Sequence, residues 1–169
     1  STRMNTNQYY FAYGSNMDPT QMEHRCPAAV PVGLGVLSGF RLTFDYWSKR
    51  RKCYVADIVS EPVEASNVWG VLWFVTNSDL VALDGYEGVS TGSYRRITVK
   101  PSVFGISVEA YAYQVKSPED EGVPSIEYLE HLLEGAHIFS LPAYYQAQLK
   151  GVLKKNSASK VTIYTEDKS

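Results

Sequence analysis

Two short segments of this chain contain the residues best suited to chemistry, and the first is a turn near the start. Gly14-Ser15-Asn16 follows an aromatic run at 8–13 and precedes Asp18-Pro19, a favourable cap and first residue for a helix. Such a turn gathers backbone N–H groups, a hydroxyl and an amide at a helix start, where a carboxylate or a phosphate binds. The alternative is an ordinary strand-to-helix turn. Ser15 lacks the Gly-x-Ser-x-Gly pattern, so a hydrolase nucleophile is not indicated.

The second segment is Leu83-Asp84-Gly85-Tyr86-Glu87-Gly88, in which two glycines bracket a carboxylate. The glycines predict that a helix ends here and that the chain turns, which can aim Glu87 into a cavity. Partial burial raises the pKa of a carboxylate towards the range that suits proton transfer near neutral pH. The alternative interpretation is a solvated glutamate on the surface.

Tyrosine is unusually frequent, at 13 of 169 residues, so some of these rings are expected to line a cavity. Tyr111 and Tyr113 share a strand face with Glu109, which indicates that this face borders something polar. Tyr94 and Tyr128 are further candidates. The alternative for all of them is core packing with the hydroxyl reaching water.

Other polar clusters give weaker signals. Four consecutive cations, Lys49-Arg50-Arg51-Lys52, predict a solvated hairpin tip, with a binding patch as the less favoured alternative. His24, His131 and His137 show no metal-ligand spacing with the two cysteines.

Composition limits the classes of partner and compartment. A formal net charge of −2 does not favour non-specific binding to nucleic acid or to an anionic membrane. No apolar run approaches the roughly 18 to 20 residues that span a bilayer. The segment 1–8 is polar and lacks the apolar part of a secretory signal, and Cys26 and Cys53 do not suggest a disulfide framework. We therefore expect a reducing, cytoplasmic setting.

Periodicity and turn residues predict strands in runs, with a few short helices. Strands are predicted near 8–13, 30–37, 39–46, 53–59, 67–75, 94–100 and 106–115. Helices are predicted over 18–25, 77–86, 125–135 and 141–153, with Gly135-Ala136 stopping the third. This order favours an α+β fold with a mixed, curved, barrel-like β-sheet and short helices packed outside it. We expect one domain over 1–155 and a polar tail over 156–169, in which Val161-Thr162-Ile163-Tyr164 is a possible edge strand.

Taken in order, the motifs resemble those of the γ-glutamylcyclotransferase-like family, especially the branch that acts on γ-glutamyl amino acids. The resemblance covers about residues 8 to 153. It rests on Tyr10-Phe11-Ala12-Tyr13-Gly14-Ser15-Asn16, Val68-Trp69-Gly70-Val71, Leu83-Asp84-x-x-Glu87-Gly88 followed by Tyr94, Tyr113, Pro124-Ser125-x-x-Tyr128, and Gly135-Ala136 with Leu141-Pro142-x-x-Tyr145.

The resemblance implies a compact mixed barrel and a reaction without metal or cofactor. A γ-glutamyl compound cyclises to 5-oxoproline and releases its amine. The loop from Tyr13 through Gly14 and Ser15 to Asn16 would bind the glutamyl head, and Glu87 would be the acid and base. Three tyrosines would wall the cavity: Tyr94, Tyr113 and Tyr128. We expect a small-molecule γ-glutamyl substrate, no nucleic-acid or membrane partner, and a monomer or homodimer.

The residues are compatible with this chemistry, because the substrate supplies its own amine nucleophile and the enzyme needs only a group that moves protons. The turn then favours an α-carboxylate over a phosphate. Alternatives remain open: a binding module that senses a small amino compound without catalysis, or hydrolysis of the γ-amide to glutamate. The leaving group is also open, between an amino acid, an amine and a γ-glutamyl-protected intermediate of antibiotic biosynthesis.

Overall fold

The computed structural model describes residues 7–63 and 66–152 of the chain. Within them the strands are β1 Asn7–Ala12, β2 Val30–Ser38, β3 Phe40–Ser48, β4 Cys53–Ser60, β5 Asn67–Thr76, β6 Tyr94–Val99, β7 Ser102–Val103, β8 Ile106–Ser107 and β9 Ala110–Val115. The helices are a 3-10 helix at Ser15–Met17, α1 Pro19–Arg25, α2 Asn77–Tyr86, α3 Ile126–Ile138 and α4 over 143–152. The predicted tail over 156–169, with its possible edge strand, lies outside the described residues.

The strands form a mixed sheet with a two-stranded sheet beside it. The larger sheet has the order β6-β9-β1-β5-β2-β7-β8, and β3 pairs with β4. β1 runs antiparallel to β5 and parallel to β9, which makes the sheet mixed. The predicted α+β class is confirmed: a mixed half-barrel sheet is combined with four helices.

β5 is the central strand of the larger sheet, as its apolar sequence predicts. It lies between β1 and β2 and pairs antiparallel with both. Val68 and Val71 have no exposed surface, and Leu72 is 1% exposed. Burial on both faces explains why this strand reads as a continuous apolar run. It gives β1, which leads into the turn at 14–16, a rigid neighbour.

The prediction of one continuous strand over 106–115 is wrong. The structure divides it into β8 and β9, and the unpredicted β7 pairs with β8 as a small hairpin. Phe104 and Gly105 turn this hairpin in left-handed backbone conformations, with φ of 53° and 77°. Two-residue strands are too short to show a periodic pattern, so the sequence carries no signal for them.

The predicted helix stop at Gly135-Ala136 is also wrong, because α3 continues to Ile138. Gly135 does not end the helix but permits a close contact. A Cβ atom on this residue would lie 2.4 Å from the carbonyl oxygen of Met17 in the 3-10 helix. The glycine therefore allows α3 to approach the backbone of the turn segment closely.

Both cysteines, Cys26 and Cys53, are buried and free. Across the described part of the chain, no helix has the length and apolar character needed to cross a membrane.

Candidate active site

A cavity of about 500 Å³ lies where the 3-10 helix, the β3–β4 hairpin and the end of α2 meet. It brings together all eight residues that the sequence singles out as site residues. These are Tyr13, Gly14, Ser15, Asn16, Glu87, Tyr94, Tyr113 and Tyr128. The two motifs are far apart in sequence, and the fold brings both of them to the same cavity. Their individual roles remain predictions.

Glu87 is placed by the end of α2. The helix begins with a capping box, in which the Thr76 side chain and Asp79 bond reciprocally to each other's backbone N–H groups. Glu87 is the C-cap residue, and its N–H donates to Leu83 O at 2.8 Å. Gly88 then takes a positive φ of 63°, as a residue after a helix end commonly does. The glycine pattern around Glu87 thus predicts the helix end correctly.

The Glu87 carboxylate is half-buried in the cavity wall. Burial raises its pKa above the ordinary value of a glutamate, while the positive charges of Arg25, Arg51 and Arg50 oppose that rise. Within the described residues the carboxylate has no side-chain hydrogen bond or ion pair. Both of its oxygens are therefore available to take up a proton.

Asp84, one turn before Glu87, fastens the end of α2 to the sheet. Its carboxylate accepts two N–H groups of Arg96, at 3.1 and 2.5 Å, and the hydroxyl of Tyr113 at 2.6 Å. Arg96 and Tyr113 face each other across the β6–β9 pair. The sequence does not reveal this role of Asp84, because its partners Arg96 and Tyr113 lie on strands that are distant in the chain. This clamp holds the backbone that presents Glu87.

The turn at 14–16 differs from the prediction in one respect. The N-terminus of α1 is not an open anion site, because the Asp18 side chain accepts the Thr20 N–H at 3.0 Å and also contacts His131 at 2.7 Å. The open helix start is that of the 3-10 helix, whose N-cap Gly14 makes no side-chain capping bond. The first N–H groups of a helix have no acceptor within it. Ser15 and Asn16, the first residues of the 3-10 helix, both line the cavity.

The amide of Asn16 is buried and already bonded. Its nitrogen donates to the Tyr10 hydroxyl at 3.0 Å, and its oxygen accepts from Gln21 at 2.9 Å and from Arg25 at 3.2 Å. The Ser15 hydroxyl oxygen accepts from Gln21 at 2.7 Å, which leaves its own proton to donate. Asn16 therefore holds the turn in place, while Ser15 presents a donor to the cavity.

The cavity tyrosines are fixed through their hydroxyl groups. One residue of β4, Ala56, is bonded on both sides: its carbonyl accepts from Tyr94 at 2.7 Å, and its N–H donates to Tyr128 at 3.0 Å. The Tyr13 hydroxyl donates to the carbonyl of Tyr113. Burial raises the pKa of all four phenols above the ordinary value for tyrosine. They stay protonated at neutral pH and form rigid walls.

Comparisons with known proteins show the family to which this chain belongs. Residues 67–149 match the AIG2-like family. The γ-glutamylcyclotransferase of Mus musculus is 32% identical, over 94% of this chain and 85% of that protein, and that of Bos taurus is 33% identical with the same coverage. This chain belongs to the γ-glutamylcyclotransferase-like family. A solved structure of a γ-glutamyl cyclotransferase superposes with a TM-score of 0.80 at 32% identity, covering 85% of this chain and 86% of that one.

The basic run of this γ-glutamylcyclotransferase-like chain does form the tip of a hairpin, between β3 and β4. Lys49, Arg50 and Lys52 are exposed, as predicted for a solvated tip, but Lys49, Arg50 and Arg51 also line the cavity. Arg51 is half-buried: it donates to Gln21 Oε1 at 2.8 Å and lies over the Tyr128 ring at 5.1 Å. Only the tertiary fold brings this tip over the turn, so no local signal identifies it.

Metal ligation has no candidate in the described part of the chain. There, no group of three or more histidine, cysteine, aspartate or glutamate side chains is arranged to hold a metal ion.

Proposed function

We propose that this chain is a γ-glutamylcyclotransferase, which converts a γ-glutamyl compound to 5-oxoproline and a free amine. One observation carries the proposal: the unpaired, half-buried carboxylate of Glu87 shares a cavity with the open turn at 14–16. Homology to γ-glutamylcyclotransferases supports it. We expect the protein to act in a reducing, cytoplasmic setting, as a monomer or a homodimer.

The reaction is an intramolecular transfer of the γ-acyl group. The α-amine of the glutamyl group is an ammonium at neutral pH and cannot attack until it loses a proton, which Glu87 accepts. The free amine then attacks the γ-carbonyl carbon, so that the ring C–N bond forms. The bond from this carbon to the leaving nitrogen breaks as Glu87 returns a proton to that nitrogen. Two protons pass in all from the α-nitrogen to the leaving group, which departs as an ammonium.

The raised pKa of Glu87 suits both halves of this cycle. The α-ammonium is a far weaker acid than a glutamic acid side chain, so an ordinary glutamate is a poor acceptor for its proton. Burial brings the pKa of Glu87 closer to that of the ammonium, which makes the first transfer less unfavourable. The nearby arginines favour the ionised carboxylate and so oppose part of this rise in its pKa.

The turn and the tyrosines supply orientation in this proposal. The N–H groups at the start of the 3-10 helix, with the Ser15 hydroxyl, bind the α-carboxylate and hold the flexible glutamyl chain bent. Fixing a nucleophile against its target in this way can lower a barrier by several kcal/mol, up to about 10. The protonated tyrosine walls limit water, so the internal amine reaches the carbonyl before a water molecule does.

Product analysis tests the proposal. The protein is incubated with a panel of γ-glutamyl amino acids and γ-glutamyl amines, and 5-oxoproline and glutamate are quantified separately. The proposal expects 5-oxoproline from at least one substrate, in amounts equal to the released amine. Free glutamate in place of 5-oxoproline would show hydrolysis. Saturable binding without turnover would show a sensing module.

A further inference from the structure

Positive charge is concentrated at the cavity beyond what the glutamyl head needs. Four cations line it: Arg25, Lys49, Arg50 and Arg51. Among the described residues that line it, Glu87 provides the one carboxylate. The chain as a whole has a net charge of −2, so this excess is local. A cavity with so many cations is suited to a ligand that carries more than one anionic group.

Two of the four cations are committed to the scaffold. Arg25 is buried, donates to Asn16 at 3.2 Å and stacks over the Tyr86 ring at 4.6 Å. Arg51 is likewise held by the Gln21 side chain. Both guanidinium groups therefore lie on the side of the cavity that the turn at 14–16 forms.

The other two cations, Lys49 and Arg50, are exposed, and Arg50 is the one whose charge acts on the Glu87 carboxylate. No hydrogen bond, ion pair or ring contact joins Arg50 to another of the described residues. It nevertheless lies near enough to Glu87 for its charge to lower the pKa of that carboxylate. Among the arginines that line the cavity, Arg50 is therefore the one whose guanidinium is free to bind a ligand.

In the proposed reaction, the glutamyl head binds at the turn, and the leaving nitrogen lies beyond the γ-carbonyl, where Glu87 protonates it. We propose that Arg50 binds a carboxylate on the leaving group and thereby selects amino-acid or peptide leaving groups over simple amines. The assignment rests on the proposed cyclotransferase function. A guanidinium suits it, since it can donate two parallel hydrogen bonds to one carboxylate.

The test compares two substrates that differ only in charge, γ-glutamyl-alanine and γ-glutamyl-alaninamide. The ratio of their kcat/KM values is measured for the wild type and for Arg50→Gln. Because the same Glu87 serves both substrates, a change in its pKa affects both rates and cancels in the ratio. The different basicity of the two leaving amines cancels when the ratios of the wild type and the variant are compared. We expect the substitution to lower the ratio about two- to fivefold, the upper part of the range for an exposed ion pair, mainly through the KM of γ-glutamyl-alanine.

Two further variants separate charge from structure. Arg50→Lys keeps the charge and is expected to retain most of the wild-type ratio. Lys52→Gln removes a charge from the same hairpin at an exposed residue that does not line the cavity, and is expected to leave the ratio unchanged.

The outcomes also separate this proposal from the proposed function. If Arg50→Gln keeps the wild-type ratio, or if Lys52→Gln lowers it equally, the role of Arg50 is refuted while the cyclotransferase activity stands. If the wild type forms 5-oxoproline from neither these substrates nor the wider panel, the proposed function itself is refuted.

Discussion

Replacing Asp57 by asparagine is expected to stabilise the protein at alkaline pH. Asp45 and Asp57 lie on the paired strands β3 and β4, where the register shifts, and are 5% and 1% exposed. Asp57 Oδ1 accepts the Val115 N–H at 2.9 Å. The opposite oxygens, Asp45 Oδ1 and Asp57 Oδ2, are buried and accept no hydrogen bond from the described residues, and the adjacent Asp45 raises the pKa of Asp57. Two carboxyl groups in this arrangement share a proton.

The magnitude follows from the pKa of Asp57. Burial, with the adjacent Asp45, raises this pKa from the ordinary value of 3.8 to about 7. Between pH 4 and pH 7 the unfolded chain has therefore lost a proton that the folded protein still holds, so the free energy of unfolding falls as the pH rises. Roughly three pH units at 1.4 kcal/mol each correspond to a loss on the order of 4 kcal/mol. Above pH 7 this contribution no longer changes.

Asparagine reproduces the protonated form of Asp57. Its oxygen can still accept the Val115 N–H, and its NH₂ group can donate to the Asp45 carboxylate. The Asp57→Asn variant is therefore expected to lose much less stability between pH 5 and pH 8, and to be more stable than the wild type at pH 8.

The assay is urea unfolding of both proteins at pH 5 and pH 8, followed by circular dichroism. Asp120→Asn, at an exposed position, serves as the control and is expected to follow the wild type. The reasoning is refuted if wild-type stability does not fall between the two pH values, or if Asp57→Asn is the less stable protein at pH 8.

Two other substitutions probe the supports of the site. Asp84→Asn is expected to lower kcat about tenfold with little change in KM, because the loosened end of α2 misplaces the Glu87 carboxylate. Arg96→Gln is expected to have the same effect, and the double variant should show no further loss of kcat in steady-state kinetics. Additive losses would contradict a role shared by Asp84 and Arg96. Gly135→Ala places a Cβ atom 2.4 Å from Met17 O and is expected to cost about 1 to 3 kcal/mol of stability in thermal unfolding. An unchanged melting temperature would contradict the close approach.

The features that the sequence predicts well have local signals. The glycines around Glu87 predict the end of α2, and the structure places Glu87 at the C-cap. The apolar run of β5 identifies a strand buried on both faces, which is the central strand of the sheet. Asp18-Pro19 correctly predicts the start of α1. In each case, neighbouring residues alone determine the backbone.

The features that the sequence misses depend on contacts between distant segments. The sequence predicts Arg51 as part of a solvated tip, because no neighbouring residue indicates that its side chain contacts Gln21 and Tyr128. Asp45 and Asp57 read as ordinary strand carboxylates, because only the pairing of β3 with β4 buries them together. Sequence patterns report which residues can do chemistry, but burial and pairing decide which of them are free to do it.

The central claim is that Glu87 moves the protons of a cyclisation, and Glu87→Gln tests it most directly. The amide has nearly the same size but cannot accept the proton of the α-ammonium. The measurement is the single-turnover rate of 5-oxoproline formation from γ-glutamyl-alanine, with saturating protein. The account predicts a rate about 10² to 10⁴ times lower than that of the wild type, with binding retained. A variant that forms 5-oxoproline at the wild-type rate would contradict it.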